Sequence, residues 1–426
     1  METVKAVKTV SIPYQVGGEI LQLLKSFRDM VNYCLKVGLK SGVTGRFRLT
    51  KLVYSELQRY GYHSWYALSA IEISATILKN YRKAKKKDLD VEPPQARRLV
   101  AKLGNQAFKI ENGMLVFPVK PRQFIRIPLH KRALKVLRNT KHGSVTITSN
   151  AIHIAYSKIV EVKEPKGWIA IDVNEDNVTA VSSDGEVKRY DFSRLKKANH
   201  GYFVRKRKIQ QKYIHDRRVL RKALAKLSKN YRNLTNSRLH KASIDLAKWC
   251  RERGYGLIHE NLKGIRGSAN KRIKKLNRFN GKIQEISIGS RKFKRGLNSW
   301  WFRRFLNMVN YKCLWFGVRT KPVNPRGSSS KCPRCGSKLK EYPMGHVKCL
   351  RCKFEEDRHI VACLNMLKRT SDVSLWFRLE RPSNVAMSCA LTSGLNPVMR
   401  ISTASKRGEG NYTSPEELPE PPQLKG

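Results

Sequence analysis

The sequence lacks the features that would place a protein in or beyond a membrane. It contains no run of about 18 apolar residues, so no segment is predicted to span a bilayer. It also shows no apolar leader, so export to an oxidising compartment is not expected. These absences favour a cytoplasmic protein without a membrane partner.

Acidic residues are scarce as well. The chain has 32 Asp and Glu residues against 87 Lys and Arg residues, which gives a net charge of +55. Such an excess repels itself unless a polyanion neutralises it, and a membrane surface or a nucleic acid could do so. Nucleic acid is favoured because cations and aromatic rings alternate in residues 205–218 and 291–305, where both can stack on bases. Any single run of this kind could instead be the solvated face of a helix.

Five of the nine cysteines follow no spacing pattern, and the other four do. Cys34, Cys250, Cys313, Cys363 and Cys389 stand apart and are expected to be small buried apolar residues. The other four have the spacing C-x2-C-x13-C-x2-C, which is typical of a structural zinc ribbon: Cys332, Cys335, Cys349 and Cys352. Two disulfides are the alternative, and they would require an oxidising compartment. The spacing therefore predicts one structural Zn2+.

Hydrophobic periodicity divides the first 160 residues into strands and helices. Residues 4–12 look like a strand, and apolar residues recur at helical spacing over 20–35 and 65–87. Residues 115–160 are rich in alternating and β-branched segments separated by turn residues. We therefore expect a β-barrel formed by residues 1–15 and 110–162, with a helical insertion over 16–109.

Three acidic residues stand at the ends of predicted elements. Asp172 ends the apolar strand of residues 167–172, and Glu260 ends a second apolar strand. Asp357 lies between the cysteine motif and a helical apolar stripe over 360–367. Carboxylates in such positions suit Mg2+, and two ions about 3.5 to 4 Å apart can support phosphodiester hydrolysis. A helix cap or a surface acid is the alternative for each residue taken alone.

Four segments carry a resemblance to a known family. Residues 170–185, 259–266, 299–339 and 347–367 resemble the TnpB or OrfB family of transposon-encoded proteins, which are related to type V CRISPR effectors. The resemblance implies a multidomain α+β fold, with a wedge-like N-terminal β-barrel and a ribonuclease H-like RuvC domain. That domain would cover 163–325 and 355–370, with the zinc ribbon inserted at 326–354.

The resemblance also implies a function. The protein would bind a guide RNA and cleave the paired double-stranded target DNA, and it would associate with a prokaryotic nucleoid. Asp172 matches the first catalytic acid of the family and Glu260 the second. The third position departs from the family pattern, which often has Asp-Arg-Asp where this chain has Asp357, Arg358 and His359. Asp357 is the candidate third acid, because imidazole is a poorer ligand for Mg2+ than carboxylate.

Two other functional hypotheses remain open. A nuclease-inactive relative would keep RNA-guided DNA binding without cleavage, and an accessory transposition factor would bind DNA without RNA. Beyond residue 370 the resemblance ends, and the Pro- and Glu-rich segment 371–426 is predicted to be largely disordered. Its acidic end could contact a nucleic-acid groove or simply aid solubility.

Overall fold

The computed structural model describes residues 2–87, 91–276, 281, 283–287 and 289–370. The segment predicted to be disordered, 371–426, lies outside these residues. In the part that is described, no helix combines the length and apolar character needed to cross a membrane.

The N-terminal strands form two antiparallel sheets. Their bounds are β1 (Glu2–Pro13), β2 (Val100–Leu103), β3 (Lys109–Glu111), β4 (Met114–Lys120), β5 (Gln123–Pro128), β6 (Lys141–Thr148) and β7 (Ala151–Val162). The first sheet has the order β1-β7-β6-β2, and the second has the order β3-β4-β5. Strand β1 pairs with β7 over its full length, from Glu2 opposite Val162 to Pro13 opposite Ala151. The N-terminal strand therefore joins the later strands, as expected.

The predicted β-barrel is not confirmed, because the described strands form no closed barrel. Strands β1 and β2 are the two edges of an open four-stranded sheet, and neither is hydrogen-bonded to the three-stranded sheet. Helices share the core with these sheets: α1 (Gly18–Ser41), α2 (Arg46–Gln58), α3 (Ser64–Lys85) and α4 (Lys131–Leu137). Phe27, Tyr66 and Phe117 bring both kinds of element into one buried cluster. The sheets bury their apolar faces against helices, so closure into a barrel is not needed to cover them.

A five-stranded mixed sheet forms the centre of the second half. Its strands are β8 (Trp168–Val173), β9 (Asn177–Ser182), β10 (Val187–Asp191), β11 (Gly256–Glu260) and β14 (Thr320–Val323), with a separate hairpin of β12 (Arg272–Leu276) and β13 (Ile283–Ser287). The order is β10-β9-β8-β11-β14, and β11 is parallel to both β8 and β14. At Gly256 an added Cβ would lie 2.4 Å from the Trp168 ring, so this strand contact requires glycine.

Helices cover both faces of this sheet. The helices of this half of the chain are α5 (Ser193–Lys212), α6 (Arg217–Arg253), α7 (Ile265–Asn270), α8 (Arg291–Ser299), α9 (Phe302–Trp315) and α10 (Arg358–Lys368). The core on one face contains α6 and α9, with residues such as Leu246 and Phe305. The core on the other face contains α10, with residues such as Val361 and Leu364. Strands buried on both faces explain why residues 168–173 are almost entirely apolar.

Between β14 and α10 in the sequence, the chain forms a small antiparallel sheet. It consists of β15 (Leu339–Glu341), β16 (His346–Cys349) and β17 (Glu355–Asp357), in that order. Strand β17 ends at Asp357 and α10 begins at the next residue. The cysteine-bearing segment is thus connected directly to a helix that packs on the central sheet.

Candidate active site and metal centre

The four patterned cysteines meet at one point. Their Sγ atoms all lie within 4.8 Å of one another, with Cys332 and Cys352 separated by 3.5 Å and Cys335 and Cys349 by 3.4 Å. Four thiolates around one Zn2+ at about 2.3 Å would stand about 3.8 Å apart, so the cluster fits this ion. Among the described residues it is the one group of three or more His, Cys, Asp or Glu ligand atoms that close together.

Both cysteine pairs stand on tight turns of the same design. The amide of Gly336 donates to the carbonyl of Cys332 at 2.9 Å, and the amide of Lys353 donates to that of Cys349 at 3.0 Å. Both turn residues have a positive φ, +76° at Gly336 and +59° at Lys353. His346 lies outside the cluster, with Nε2 3.4 Å from a carboxylate oxygen of Glu355. The donor set is therefore four cysteines.

Asp172 and Glu260 lie side by side at the carboxyl edge of the central sheet. Strands β8 and β11 are parallel, and Ile171 pairs with His259. The next residue is Asp172 on β8 and Glu260 on β11. Neighbouring strands are about 4.8 Å apart and residues in register share a face. Asp172 is buried, with 7% of its surface exposed. The two predicted strand-end acids thus share one location.

Glu260 accepts a hydrogen bond from a residue that the sequence analysis does not single out. Ser328 donates its hydroxyl to Glu260 Oε1 at 2.7 Å. Burial raises the pKa of Glu260, the Ser328 hydrogen bond opposes this, and the negative charge of Asp172 raises it further. The surroundings of Glu260 therefore oppose its negative charge more than water does, and a cation beside it would offset this effect.

Asp357 begins α10 and holds its first turn. Its Oδ1 accepts hydrogen bonds from the amides of His359 at 2.8 Å and Ile360 at 3.3 Å. Its Oδ2 lies 3.3 Å from a guanidinium nitrogen of Arg189. Both oxygens of this carboxylate therefore have protein partners, as in a helix N-cap. Its assignment as a metal ligand stays a prediction.

His359, on α10, contacts the carboxylate of Asp172. Its Nδ1 lies 2.8 Å from Asp172 Oδ2, and the Asn174 amide nitrogen lies 2.7 Å from the same oxygen and 2.9 Å from the His359 nitrogen. The hydrogen bond with Asp172 raises the pKa of His359, and burial opposes that shift. Sequence reasoning identified His359 only as a departure from a pattern, and it missed Asn174.

The carboxylates of this site fit a divalent cation in part. Asp172 and Glu260 supply the oxygen ligands that Mg2+ prefers, and they would hold such an ion. The third group beside them is an imidazole, which suits Mg2+ less well. Two acids therefore match a magnesium centre and the third position does not.

The basic segments predicted to bind nucleic acid differ in exposure. Residues 205–208 on α5 are fully exposed cations without an ion pair among the described residues. In residues 291–305, by contrast, Trp301, Phe302 and Phe305 are buried in the core. Aromatic spacing alone did not separate stacking platforms from core residues.

Comparisons with known proteins agree with this architecture. The Cas12f1-like TNB domain family matches residues 302–366, and the family called Uncharacterized protein MJ0013 matches residues 23–116. The chain is 30% identical over 286 residues to TnpB-like protein MJ0751 of Methanocaldococcus jannaschii, covering 64% of this chain and 97% of that protein. It is 22% identical over 320 residues to TnpB-like protein MJ1635 of that organism, covering 74% of this chain and 70% of that protein.

A solved structure shares the fold over most of the chain. This is the Cas12f1–sgRNA–target DNA complex, with a TM-score of 0.54, 15% identity and coverage of 82% of each chain. The match supports a multidomain α/β fold similar to Cas12 effectors. Together with the identity to MJ0751 over nearly its whole length, these observations show that the chain belongs to the TnpB-like family.

Proposed function

We propose that this protein is a transposon-encoded, RNA-guided DNA endonuclease that cleaves by metal-dependent phosphodiester hydrolysis. The observation that carries the proposal is the juxtaposition of Asp172 and Glu260 at one edge of the central sheet, in a TnpB-like chain with a net charge of +55. The solved Cas12f1 complex, which has a similar fold, contains a single guide RNA and target DNA. The same partners are proposed here.

The side chains have separable tasks in this proposal. Asp172 and Glu260 would hold the divalent cation, which would supply water activation and stabilisation of the negative charge that develops on phosphate. Asn174 orients Asp172 through its hydrogen bond to Oδ2, and Ser328 orients Glu260. Asp357, the proposed third acid, holds the start of α10 and thereby sets the position of His359. The four cysteines hold Zn2+ in a structural role, because four thiolates leave no position open for water.

A second candidate is an RNA-guided DNA-binding protein without nuclease activity. A specific observation favours it: the His359 imidazole, and not a carboxylate, lies against Asp172. A raised His359 pKa favours an imidazolium, whose charge would compete with a cation for the same aspartate. This candidate predicts that guide and target binding persist without cleavage.

Cleavage of a matched plasmid separates the two candidates. RNA that copurifies with the protein is first sequenced, and a plasmid library carrying the matching target beside random flanks is then incubated with protein, RNA and Mg2+. An endonuclease linearises plasmids in the library, and Asp172→Ala abolishes cleavage while binding of the target persists. Asp29→Ala is the control, because this acid of α1 pairs with Arg28 at 2.8 Å and has no contact with the site residues.

The inactive candidate predicts a different pattern. Wild type then binds target without cutting it, and His359→Asp, which restores a carboxylate beside Asp172, produces cleavage. Absence of any copurifying RNA and of RNA-dependent target binding would contradict both candidates and support an accessory factor that binds DNA alone. Cleavage that survives Asp172→Ala would show that the site lies elsewhere.

A further inference from the structure

A cleft between α6 and α9 is not used by the candidate metal site. It has a volume of about 580 Å³ and is lined mainly by α6, α8 and α9, with Arg266 from α7. This volume falls in the range of about 300 to 1,000 Å³ typical of pockets for drug-sized ligands. Its lining includes three arginines and several aromatic residues, and no acidic residue. The cleft therefore combines an aromatic wall with unbalanced positive charge.

The aromatic wall offers a platform for stacking. Tyr231 lines the cleft, and its ring stacks on Tyr202 with centroids 4.6 Å apart and planes 19° apart. One face of Tyr231 is thus covered, and a flat ligand in the cleft can extend the stack on the other. Trp300 and Tyr311 also line the cleft and are only half-buried. Aromatic rings that remain partly open to solvent bind unstacked bases without regard to sequence.

The cations of the cleft differ in how they are held. Arg266 is fixed by hydrogen bonds from its guanidinium to the carbonyls of Leu297 at 3.2 Å and Trp300 at 2.6 Å. Arg303 is exposed and forms no hydrogen bond or ion pair within the described part of the chain. An exposed guanidinium beside aromatic rings suits a phosphate, because it can donate two parallel hydrogen bonds.

The cleft is next to the candidate active site. The indole nitrogen of Trp300 donates to the carbonyl of Asn174 at 2.9 Å. The side chain of the same Asn174 contacts Asp172 and His359. Trp300 and Asn174 therefore link the cleft to Asp172 and His359 of the candidate site.

We propose that this cleft binds one unstacked base, with its flanking phosphate, of the single-stranded DNA that passes the candidate active site. Tyr231 and Trp300 stack on the base, and Arg303 binds the phosphate. The proposal rests on the proposed function for the identity of the strand. The affinity for an unstacked base is a property of the cleft itself and does not require cleavage.

The test measures base-dependent binding in the absence of Mg2+. Full-length protein freed of RNA is titrated, with fluorescence anisotropy as the readout, against two oligodeoxynucleotides of equal length. One carries bases and the other carries abasic sites, so both have the same number of phosphates. Stacking on one base is expected to make the affinity for the first oligonucleotide roughly 5- to 150-fold higher than for the second. Equal affinities for the two would overturn the proposal.

Variants assign the preference to the cleft. Tyr231→Leu is expected to remove most of the base preference, and Tyr231→Phe is expected to retain it. The control Phe47→Leu removes an exposed aromatic residue of α2 that does not line the cleft, and is expected to change little. A base preference that survives both Tyr231→Leu and Trp300→Leu would overturn the assignment.

The salt dependence of DNA affinity tests the contact between Arg303 and phosphate. Arg303 is exposed, so its replacement is not expected to affect folding. Arg303→Gln, an exposed change, is expected to lower the slope of log affinity against log salt by about 0.7, the value for one contact on a single strand. Arg59→Gln, on the distant α2 segment and paired with Glu56, is the matched control. An unchanged slope for Arg303→Gln would overturn this contact.

An oligoribonucleotide of the same sequence distinguishes the two possible strands. DNA is expected to show the Tyr231-dependent preference at least as strongly as RNA. A preference confined to RNA would assign the cleft to the guide and overturn the DNA proposal. Base-dependent binding without plasmid cleavage would leave the cleft proposal intact and count against the endonuclease alone.

Discussion

Asp357 has two candidate tasks, helix cap and metal ligand, and a pair of substitutions separates them. Asp357→Ala removes the acceptor of two amide hydrogen bonds at the start of α10. Loss of such a cap costs about 1 kcal/mol, within a range of about 0.5 to 2 kcal/mol. The pair with Arg189 adds a few tenths of a kcal/mol at most, because the two side chains are 24% and 52% exposed.

We therefore expect Asp357→Ala to lower the free energy of unfolding of the C-terminal domain by about 1 to 2 kcal/mol. For a domain of this size, each kcal/mol corresponds to about 2 to 4 °C in Tm. Asp357→Asn keeps a good N-cap residue of the same shape and is expected to be nearly as stable as wild type. Scanning calorimetry of the zinc-loaded protein measures both.

The comparison also has a functional outcome. If the Asn variant is stable but no longer cleaves, the carboxylate itself is a metal ligand. If it is stable and cleaves normally, Asp357 acts as a cap. An Ala variant as stable as wild type, or an Asn variant as unstable as the Ala variant, would refute the capping argument.

Three further predictions concern other parts of the chain. Elemental analysis is expected to find one zinc per chain in wild type, and zinc-free wild type would contradict this. The zinc is expected to be lost in Cys349→Ser and retained in His346→Ala, because the histidine lies outside the sulfur cluster. Neutralising residues 205–208 is expected to weaken RNA binding and lower its salt slope, since each phosphate contact on a single strand contributes about 0.7 to that slope; an unchanged slope would show a solvated helix face. Burial and the charge of Lys8 lower the pKa of Lys312 to about 8, and burial lowers the pKa of Lys8 to about 8 as well. Stability is therefore expected to rise between pH 8 and 10.5 as the folded protein loses these protons first, and Lys312→Met should reduce that rise in pH-dependent unfolding. If the stability of Lys312→Met rises with pH as steeply as that of wild type, the rise comes from other groups.

The sequence predicts the site where local pattern determines geometry. Cysteine spacing specifies two turns, and each turn brings two sulfur atoms together, so the clustering of the four cysteines was predictable. Apolar strands ending in acids predicted Asp172 and Glu260, because parallel strands end at a common edge. These inferences need only short stretches of chain.

The remaining parts of the site depend on how distant elements pack. Asn174 and His359 are separated by 185 residues, and their contact follows from the packing of α10 on β8. Ser328 reaches Glu260 from a loop without any motif. The barrel prediction is not confirmed for a related reason, since alternation indicates a half-buried strand and does not say whether a sheet or a helix covers it.

Helix α10 supports both strand-end acids at once. His359, near its start, contacts Asp172, and Asn365, one turn and a half later, donates to the carbonyls of Ser328 and Lys331 in the loop that holds Glu260. During synthesis the chain emerges from its N-terminus, so Asp172 is made 196 residues before Lys368. At about 5 to 20 residues per second this interval is about 10 to 40 seconds. The two acids therefore leave the ribosome well before the helix that positions them, and the nascent protein passes through this period with an incomplete site.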